Sequence, residues 1–303
     1  MGSALRETRW VDGRIQARAC EVNVTHHCNL SCRSCSHTSP ALRRRLADPD
    51  LVHRDLATLA SHYRAEHVRL VGGEPLLHPA LGEVVAAVRR SGITDRIRVL
   101  TNGTVLARMT PAAWDGIDEL HVSLYPGHLV PPEERRHWNL VAAEHGVEVQ
   151  WLRFDHFRES YSEIGTDDAA LVRDIYRTCQ IAHLWDCHNV VDGHFHKCPQ
   201  SYFVAGLVGG EVGPGRDAVA ITDRASLGAE IAAYLADEEP LQACRNCLGS
   251  VGRLFAHREV PRPAFRAEQA RPTEELLDRE FLELLRSGDP GASNGCIAVR
   301  ERS

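Results

Sequence analysis

Short runs of β-branched and apolar residues alternate with stretches of helical periodicity through the first half of the chain. Residues 20–25, 67–71, 97–101, 119–124 and 147–154 predict strands. Between them, residues 55–64 and 81–90 carry apolar side chains at helical spacing. Alternating strands and helices predict parallel βαβ units, which right-handed crossovers wrap into an open sheet or a barrel of the α/β class. Ligands in such folds sit at the carboxyl ends of the strands. The residues of chemical interest here follow those ends directly.

Near Arg177 the rhythm changes. Residues 179–250 predict a hairpin around Gly193 and a helix at about 225–236, and Pro261, Pro263 and Pro272 precede a helical pattern at 274–286. The expected division is an extension at 1–19, a βα unit at 20–177, a smaller domain at 178–250 and a covering tail at 251–303.

Composition narrows the class. With 303 residues, 43% hydrophobic and 25% charged, the chain can build a substantial core and is neither disordered nor fibrous. A formal charge of −6 disfavours binding to a phosphate backbone, so no nucleic-acid partner is expected. No run approaches the roughly 20 apolar residues of a membrane span, and the start has no apolar export signal. The expectation is a cytoplasmic protein with no membrane partner. Ten cysteines in such a chain point to metal binding or catalysis rather than to disulfides. Lys197 is the only lysine, a bias ascribed to GC-rich codon usage rather than to chemistry.

After the first predicted strand comes Cys28-Asn29-Leu30-Ser31-Cys32-Arg33-Ser34-Cys35, a C-x3-C-x2-C spacing. Three thiolates in one loop can hold three irons of a cubane and leave the fourth iron open. His26, His27 and His37 nearby keep a zinc site in view. Gly72-Gly73-Glu74-Pro75 follows the second strand, where glycines let backbone approach a ligand and Glu74 could accept from an ammonium group.

Together these motifs resemble the radical S-adenosylmethionine (radical SAM) enzymes over about residues 20–154. The resemblance implies a partial (β/α)6 TIM-like barrel. It also implies that Cys28, Cys32 and Cys35 bind a [4Fe-4S] cluster, with SAM on its open iron against Gly72, Gly73, Glu74 and Pro75. Thr101-Asn102-Gly103 and Ser123 end the third and fourth strands, where Asn102 and Ser123 match positions the family often uses for SAM. One departure is Ser34, since the family often has an aromatic residue there against the adenine.

A second group, Cys179, Cys198, Cys244 and Cys247, resembles the twitch domain, a shortened SPASM domain behind some radical SAM cores. That likeness implies a second [4Fe-4S] cluster on four thiolates, with structural zinc as the alternative. Cys20 and Cys296 read as bystanders. Cys187 is a spare thiol and a candidate catalytic hydrogen-atom donor, or else a structural or alternative ligand.

Twitch enzymes of this size imply action on a sugar, aminocyclitol or aminoglycoside intermediate, with a one-electron donor such as flavodoxin or ferredoxin. The leading expectation is an epimerase inverting a carbinol through Cys187. A dehydrogenase oxidising that carbinol through the second cluster comes next, and a ribosomal-peptide modifying enzyme third. Glu21, Glu119 and Asp155 are acidic candidates for a cationic substrate, with Arg153 and His156 as neighbours.

Overall fold

The computed structural model describes residues 8–210, 215–288 and 298–301. Its strands are β1 (Arg9–Val11), β2 (Arg14–Thr25), β3 (Tyr63–Gly72), β4 (Ile97–Thr101), β5 (Glu119–Leu124), β6 (Glu148–Phe154), β7 (His156–Arg158), β8 (His188–Val191), β9 (His194–His196), β10 (Val219–Ala220), β11 (Leu254–Ala256) and β12 (Ala298–Glu301). Its helices are α1 (Pro49–Ala60), α2 (Leu81–Ser91), α3 (Pro111–Trp114), α4 (Pro132–Glu144), α5 (Ala169–Arg177), α6 (Gln180–His183), α7 (Gln200–Val208), α8 (Leu227–Ala236), α9 (Thr273–Leu276) and α10 (Arg279–Arg286). No helix of the described residues is long and apolar enough to cross a membrane.

Strands β2 to β6 pair in parallel and in chain order, giving the α/β sheet of a partial TIM-like barrel. The sixth parallel strand is β8, which lies beside β2 rather than beyond β6. It comes from the second cysteine segment, so both cysteine groups hang from one sheet. β8 turns into β9 through Asp192 and Gly193, both at positive φ (52° and 72°), which is the predicted hairpin. At the opposite edge β12 pairs antiparallel with β6.

The apolar face of the sheet packs on α1 and α2 through Val22, Leu70, Val99, Val122, Leu56 and Val85. Helix α1 starts six residues before the predicted 55–64 stretch. The Asp48 carboxylate caps it by accepting from the backbone of Asp50 and Leu51, and Pro49 fills the first turn. The predicted C-terminal helix at 274–286 is broken at Leu277, whose extended backbone lets Asp278 cap α10. Strand β2 reaches back to Arg14 and forms a hairpin with β1, so part of the expected extension belongs to the sheet.

The inner face carries charge. Glu21, Arg69, Arg98 and Glu119 are successive register partners across β2, β3, β4 and β5. Arg69 pairs with Glu21 at 3.3 Å and Arg98 with Glu119 at 2.6 Å. His67 Nε2 accepts from both guanidinium groups at 3.1 Å. Burial first, then the two arginines, drive its pKa down to about 3, so it is neutral.

Tyr63 joins this layer to β8. Its hydroxyl donates to the Ala19 carbonyl at 3.1 Å and lies 2.8 Å from His188 Nδ1, with the ring fully buried. Tyr63→Phe leaves two buried polar groups, the Ala19 carbonyl and His188 Nδ1, without this partner and should cost about 1–3 kcal/mol in urea unfolding. Unchanged stability would mean that these contacts do not hold β8 on β2.

Candidate functional site

The first cysteine loop leaves β2 at Thr25 and passes directly over the end of β3. Gly72 has φ 135°, and a Cβ there would overlap the Thr25 carbonyl oxygen. A Cβ on Gly73 would overlap the His27 carbonyl. The two loops bond along this seam, Gly73 N–H donating to Thr25 O (2.7 Å) and Glu74 N–H to His27 O (3.1 Å). The glycines are therefore required by the chain's own cysteine loop, and they also line the cavity beside it.

Glu74 is fully buried. Its carboxylate accepts from Thr101 Oγ1 (2.6 Å), Asn102 N (2.7 Å) and Leu76 N (3.0 Å), tying the end of β3 to the end of β4. The structure thus makes it a brace behind the cavity wall rather than a side chain facing an incoming ammonium. Pro75, also buried, opens the short turn that follows. Burial raises the Glu74 pKa to about 7, against the three donors that lower it.

Cys28, Cys32 and Cys35 converge on a cavity of about 190 Å³ that Gly72, Gly73, Asn102, Ser123 and Tyr125 also line. Cys28 Sγ accepts from Leu30 N (3.4 Å) and from the Asn102 amide (3.6 Å). His257 Nε2 lies 3.2 Å from Cys32 Sγ, its ring stacked on Tyr125 at 4.7 Å. Burial pushes all three thiols up, Cys28 to about 12, so a metal must displace their protons. Three thiols on one cavity suit a cluster held at three corners, with N–H groups aimed at sulfur.

The tail clamps this loop. Arg33 N–H donates to Arg258 O and Val260 N–H to Ser31 O, both at 2.9 Å. Arg33 is buried between Glu159 and Glu268 and stacks over Phe255 at 4.2 Å. Ser34, at φ 55°, accepts from Ser160 N at 2.8 Å. Tyr125 and Phe157 are the aromatic rings that line the cavity instead.

The second group gathers from three segments. Cys179 caps α6, Cys198 follows β9, and Cys244 and Cys247 flank the end of a short turn. Cys179, Cys198 and Cys244 pack with Tyr176, Tyr234 and Leu241, and Cys247 Sγ accepts from Gly249 N at 3.2 Å. Asp217 holds the turn, accepting from Gln242 N (2.5 Å) and Ala243 N (2.9 Å). Burial raises all four thiols; other cysteines of the group raise Cys198, Cys244 and Cys247 further, while backbone N–H groups and Lys197 pull Cys179 down. Among the described residues no three His, Cys, Asp or Glu side chains gather closely enough for a single metal ion.

A second cavity of about 310 Å³ lies between sequence neighbours of the two groups, with no cysteine in its walls. It shares Ser36, Tyr125 and Phe157 with the first cavity and runs to Ile181, Gly249 and Ser250 beside the second cysteines. Phe154, Trp185, His156 and Gln200 complete its walls. Cys187 lies elsewhere, in the barrel interior, where Arg69 Nη1 donates to its Sγ at 3.5 Å and Glu21 is its other neighbour. Cys20 is buried in the apolar core, and Cys296 falls outside the described residues.

The acidic candidates are all engaged. Glu21 and Glu119 belong to the arginine row, and Asp155 pairs with Arg153 at 2.8 Å. Of these, Glu21 keeps one buried carboxylate oxygen, Oε2, with no hydrogen-bond partner among the described residues. Sequence reasoning missed His257, whose position in the tail gave no motif. It also passed over Lys197, although the only lysine directly precedes a cysteine of the second group. Burial lowers the Lys197 ammonium to about 8, with the Asp237 carboxylate and the nearby thiolates opposing the fall.

Residues 22–137 match the Radical SAM superfamily, a segment that holds the first cysteine loop and the ends of β3, β4 and β5. The chain is 38% identical over 117 residues to GTP 3',8-cyclase 2 of Mycobacterium bovis, covering 37% of this chain and 32% of that protein. It is 34% identical over 107 residues to molybdenum cofactor biosynthesis protein 1 of Bos taurus, covering 34% and 17%. The matched part is about a third or less of these relatives' length. Among solved structures, BtrN in an open conformation is similar at TM-score 0.41 and 18% identity, over 76% of this chain and 91% of that one. BtrN in complex with AdoMet and 2-DOIA gives 0.39 and 20%, over 60% and 72%. SuiB of Streptococcus suis bound to S-adenosylmethionine gives 0.37 and 16%, over 46% and 34%.

Two outcomes follow from this geometry. Gly73→Ala should force the cysteine loop off β3, lowering the melting temperature and abolishing iron uptake at the first site; normal iron content would refute the seam. Because the folded pKa of Glu74 lies above its ordinary 4.5, its ionisation removes stability as pH rises from about 4.5 to about 7. Unfolding of the metal-free protein should therefore show wild type losing ground to Glu74→Gln across that window. Taking the difference cancels the buried histidines, which titrate with the opposite sign. A gap that is constant with pH would show that Glu74 stays ionised.

Proposed function

We propose that the chain is a radical SAM oxidoreductase that converts a carbinol of a neutral, polyhydroxylated ring to a ketone. One observation carries this reading. The cavity of about 310 Å³ starts at the first cysteine loop and ends beside the second cysteine group, so a substrate in it borders both. Cys28, Cys32 and Cys35 would hold one [4Fe-4S] cluster, with SAM against Gly72, Gly73, Asn102 and Ser123, and Cys179, Cys198, Cys244 and Cys247 the other. When bound, these groups supply a 5'-deoxyadenosyl radical that takes a hydrogen atom from the carbinol carbon, and an acceptor for the one electron released as the hydroxyl proton departs.

The walls argue for the substrate class. Tyr125, Phe154, Phe157 and Trp185 present apolar faces to ring C–H groups, while Ser36, Ser250 and Gln200 offer neutral hydrogen bonds. Gln200 is buried and its Oε1 has no partner among the described residues, which leaves an acceptor for a substrate hydroxyl. The charged wall residues are spoken for, Glu159 by Arg33 and Arg158 by Asp278. His156, exposed at the rim, is placed to pass the hydroxyl proton to water. GTP, the substrate named for the relatives, would call for unpaired guanidinium groups, whereas Arg69, Arg96 and Arg98 each contact Glu21 or Glu119.

Inversion with hydrogen return from Cys187 is the second reading, supported by a thiol that belongs to neither cysteine group. Its Sγ is held by Arg69 in the barrel interior, away from the cavity walls, which favours oxidation. A small one-electron donor, flavodoxin or ferredoxin, would reduce the first cluster in either case.

Anaerobic reconstitution should give roughly eight irons per chain, falling to about four when Cys28, Cys32 and Cys35 are all alanine. Screening cyclitols and sugars with SAM and a reductant should yield ketone and 5'-deoxyadenosine in equal amounts, with Cys187→Ala retaining at least half the rate. Inverted alcohol carrying solvent deuterium, lost in Cys187→Ala, would overturn oxidation in favour of epimerisation. Zinc without iron would end both readings.

A further inference from the structure

Lys197 is the only lysine of the chain and is 1% exposed. Its Nζ donates to the Tyr176 hydroxyl (2.6 Å) and to the Asp237 carbonyl (3.1 Å), and it lies over the rings of Tyr176 (5.3 Å) and Tyr234 (5.6 Å). Its hydrogen-bond partners are thus a hydroxyl and a carbonyl, not a carboxylate. The buried or half-buried guanidinium groups of Arg33, Arg69 and Arg98, by contrast, each have a carboxylate at ion-pair distance. A buried ammonium held only by dipoles is costly unless an anion shares its surroundings.

The anions whose field reaches it are the Asp237 carboxylate and then the thiolates of Cys198, Cys244 and Cys179. Lys197 directly precedes Cys198, and Tyr176, on which its Nζ rests, packs in the same apolar cluster as Cys179, Cys198 and Cys244. The scaffold holds it from both sides. Lys197 N–H donates to the Tyr234 hydroxyl at 3.1 Å, and that hydroxyl donates to Asp217 O at 2.8 Å. Asp217 in turn fixes the turn bearing Cys244. One network therefore places the ammonium and two of the ligand segments. An ammonium also suits the position better than a guanidinium, since it concentrates its charge at one point on a narrow stem.

We propose that Lys197 is the fixed counter-charge of the second cysteine group, raising the reduction potential of the cluster held there so that it accepts an electron from substrate. The inference rests on the reading of Cys179, Cys198, Cys244 and Cys247 as cluster ligands. A positive charge beside the cluster stabilises its more negative, reduced state, so removing that charge must lower the potential. Lys197 acts through the cluster and is a positioning and tuning residue, not a catalytic one.

The test is an EPR-monitored redox titration of the full-length reconstituted protein in which Cys28, Cys32 and Cys35 are alanine, isolating the second site. Lys197→Met and Lys197→Gln, both neutral, should keep the iron and lower the reduced-to-oxidised ratio at a fixed potential about tenfold or more, a shift of about 59 mV for a one-electron couple. Lys197→Arg keeps the charge and should stay within about threefold of the parent, as should Tyr176→Phe, which removes only a hydrogen-bond partner. Iron retained with an unmoved potential in the neutral variants would overturn the role of Lys197 and leave the cluster reading standing. If the neutral variants do not load iron, a Lys197→Arg protein whose reduced-to-oxidised ratio at that potential falls tenfold or more overturns it equally. No iron at the second site in the parent protein would overturn the cluster reading and this inference with it.

Discussion

Gly72 and Gly73 lie so close to Thr25, His27 and Cys28 that no β-carbon fits between the two loops. The contact is made of backbone, so side-chain movement cannot relax it. It sets the height of the cysteine loop above the end of β3, and two hydrogen bonds hold it there. Glu74 extends the same seam to β4 through Thr101 and Asn102, and Asn102 returns to Cys28 Sγ. Three strand ends and the first three thiols thus form one rigid unit. The tail closes it from above with Glu259, Val260 and His257.

The guanidinium groups of Arg33, Arg69 and Arg98 follow one rule. The row Glu21, Arg69, Arg98, Glu119 fills the barrel interior with opposite charges in contact, and His67 between the arginines is neutral because it is buried and both guanidinium groups face it. Arg33 sits between two glutamates under the tail. Pairing of this kind leaves the larger cavity with aromatic faces, hydroxyls and an amide, a surface suited to an uncharged ring. Lys197 departs from the rule, and it does so beside the second cysteine group.

The strand ends were legible because each parallel strand is a short apolar run closed by glycine, asparagine or a change of period. Residues 97–101 and 119–124 were read with their observed bounds. Residues 55–64 were misplaced because Asp48 and Pro49 start α1 earlier and Tyr63 belongs to β3. The three-cysteine loop and the glycine pair were legible as local patterns, whereas the purpose of the glycines was not. Approach to a ligand and approach to a neighbouring loop ask the same thing of a residue, the absence of a side chain.

The sequence by itself determined which residues can bear the chemistry, since thiol spacing and strand-end position are properties of the chain. Tertiary structure alone decided who meets whom. β8 pairs beside β2, and that pairing places Cys187 against Glu21 and Arg69 instead of along the cavity. His257 reaches Cys32 across 225 residues, and Lys197 becomes notable only once Tyr176, Tyr234 and Asp237 surround it without a carboxylate in ion-pair contact. The physical reason is common to all three. Burial fixes the cost of a charge or a thiol, but the partner that offsets the cost is chosen by strand order and loop closure, over separations on which local pattern carries no information.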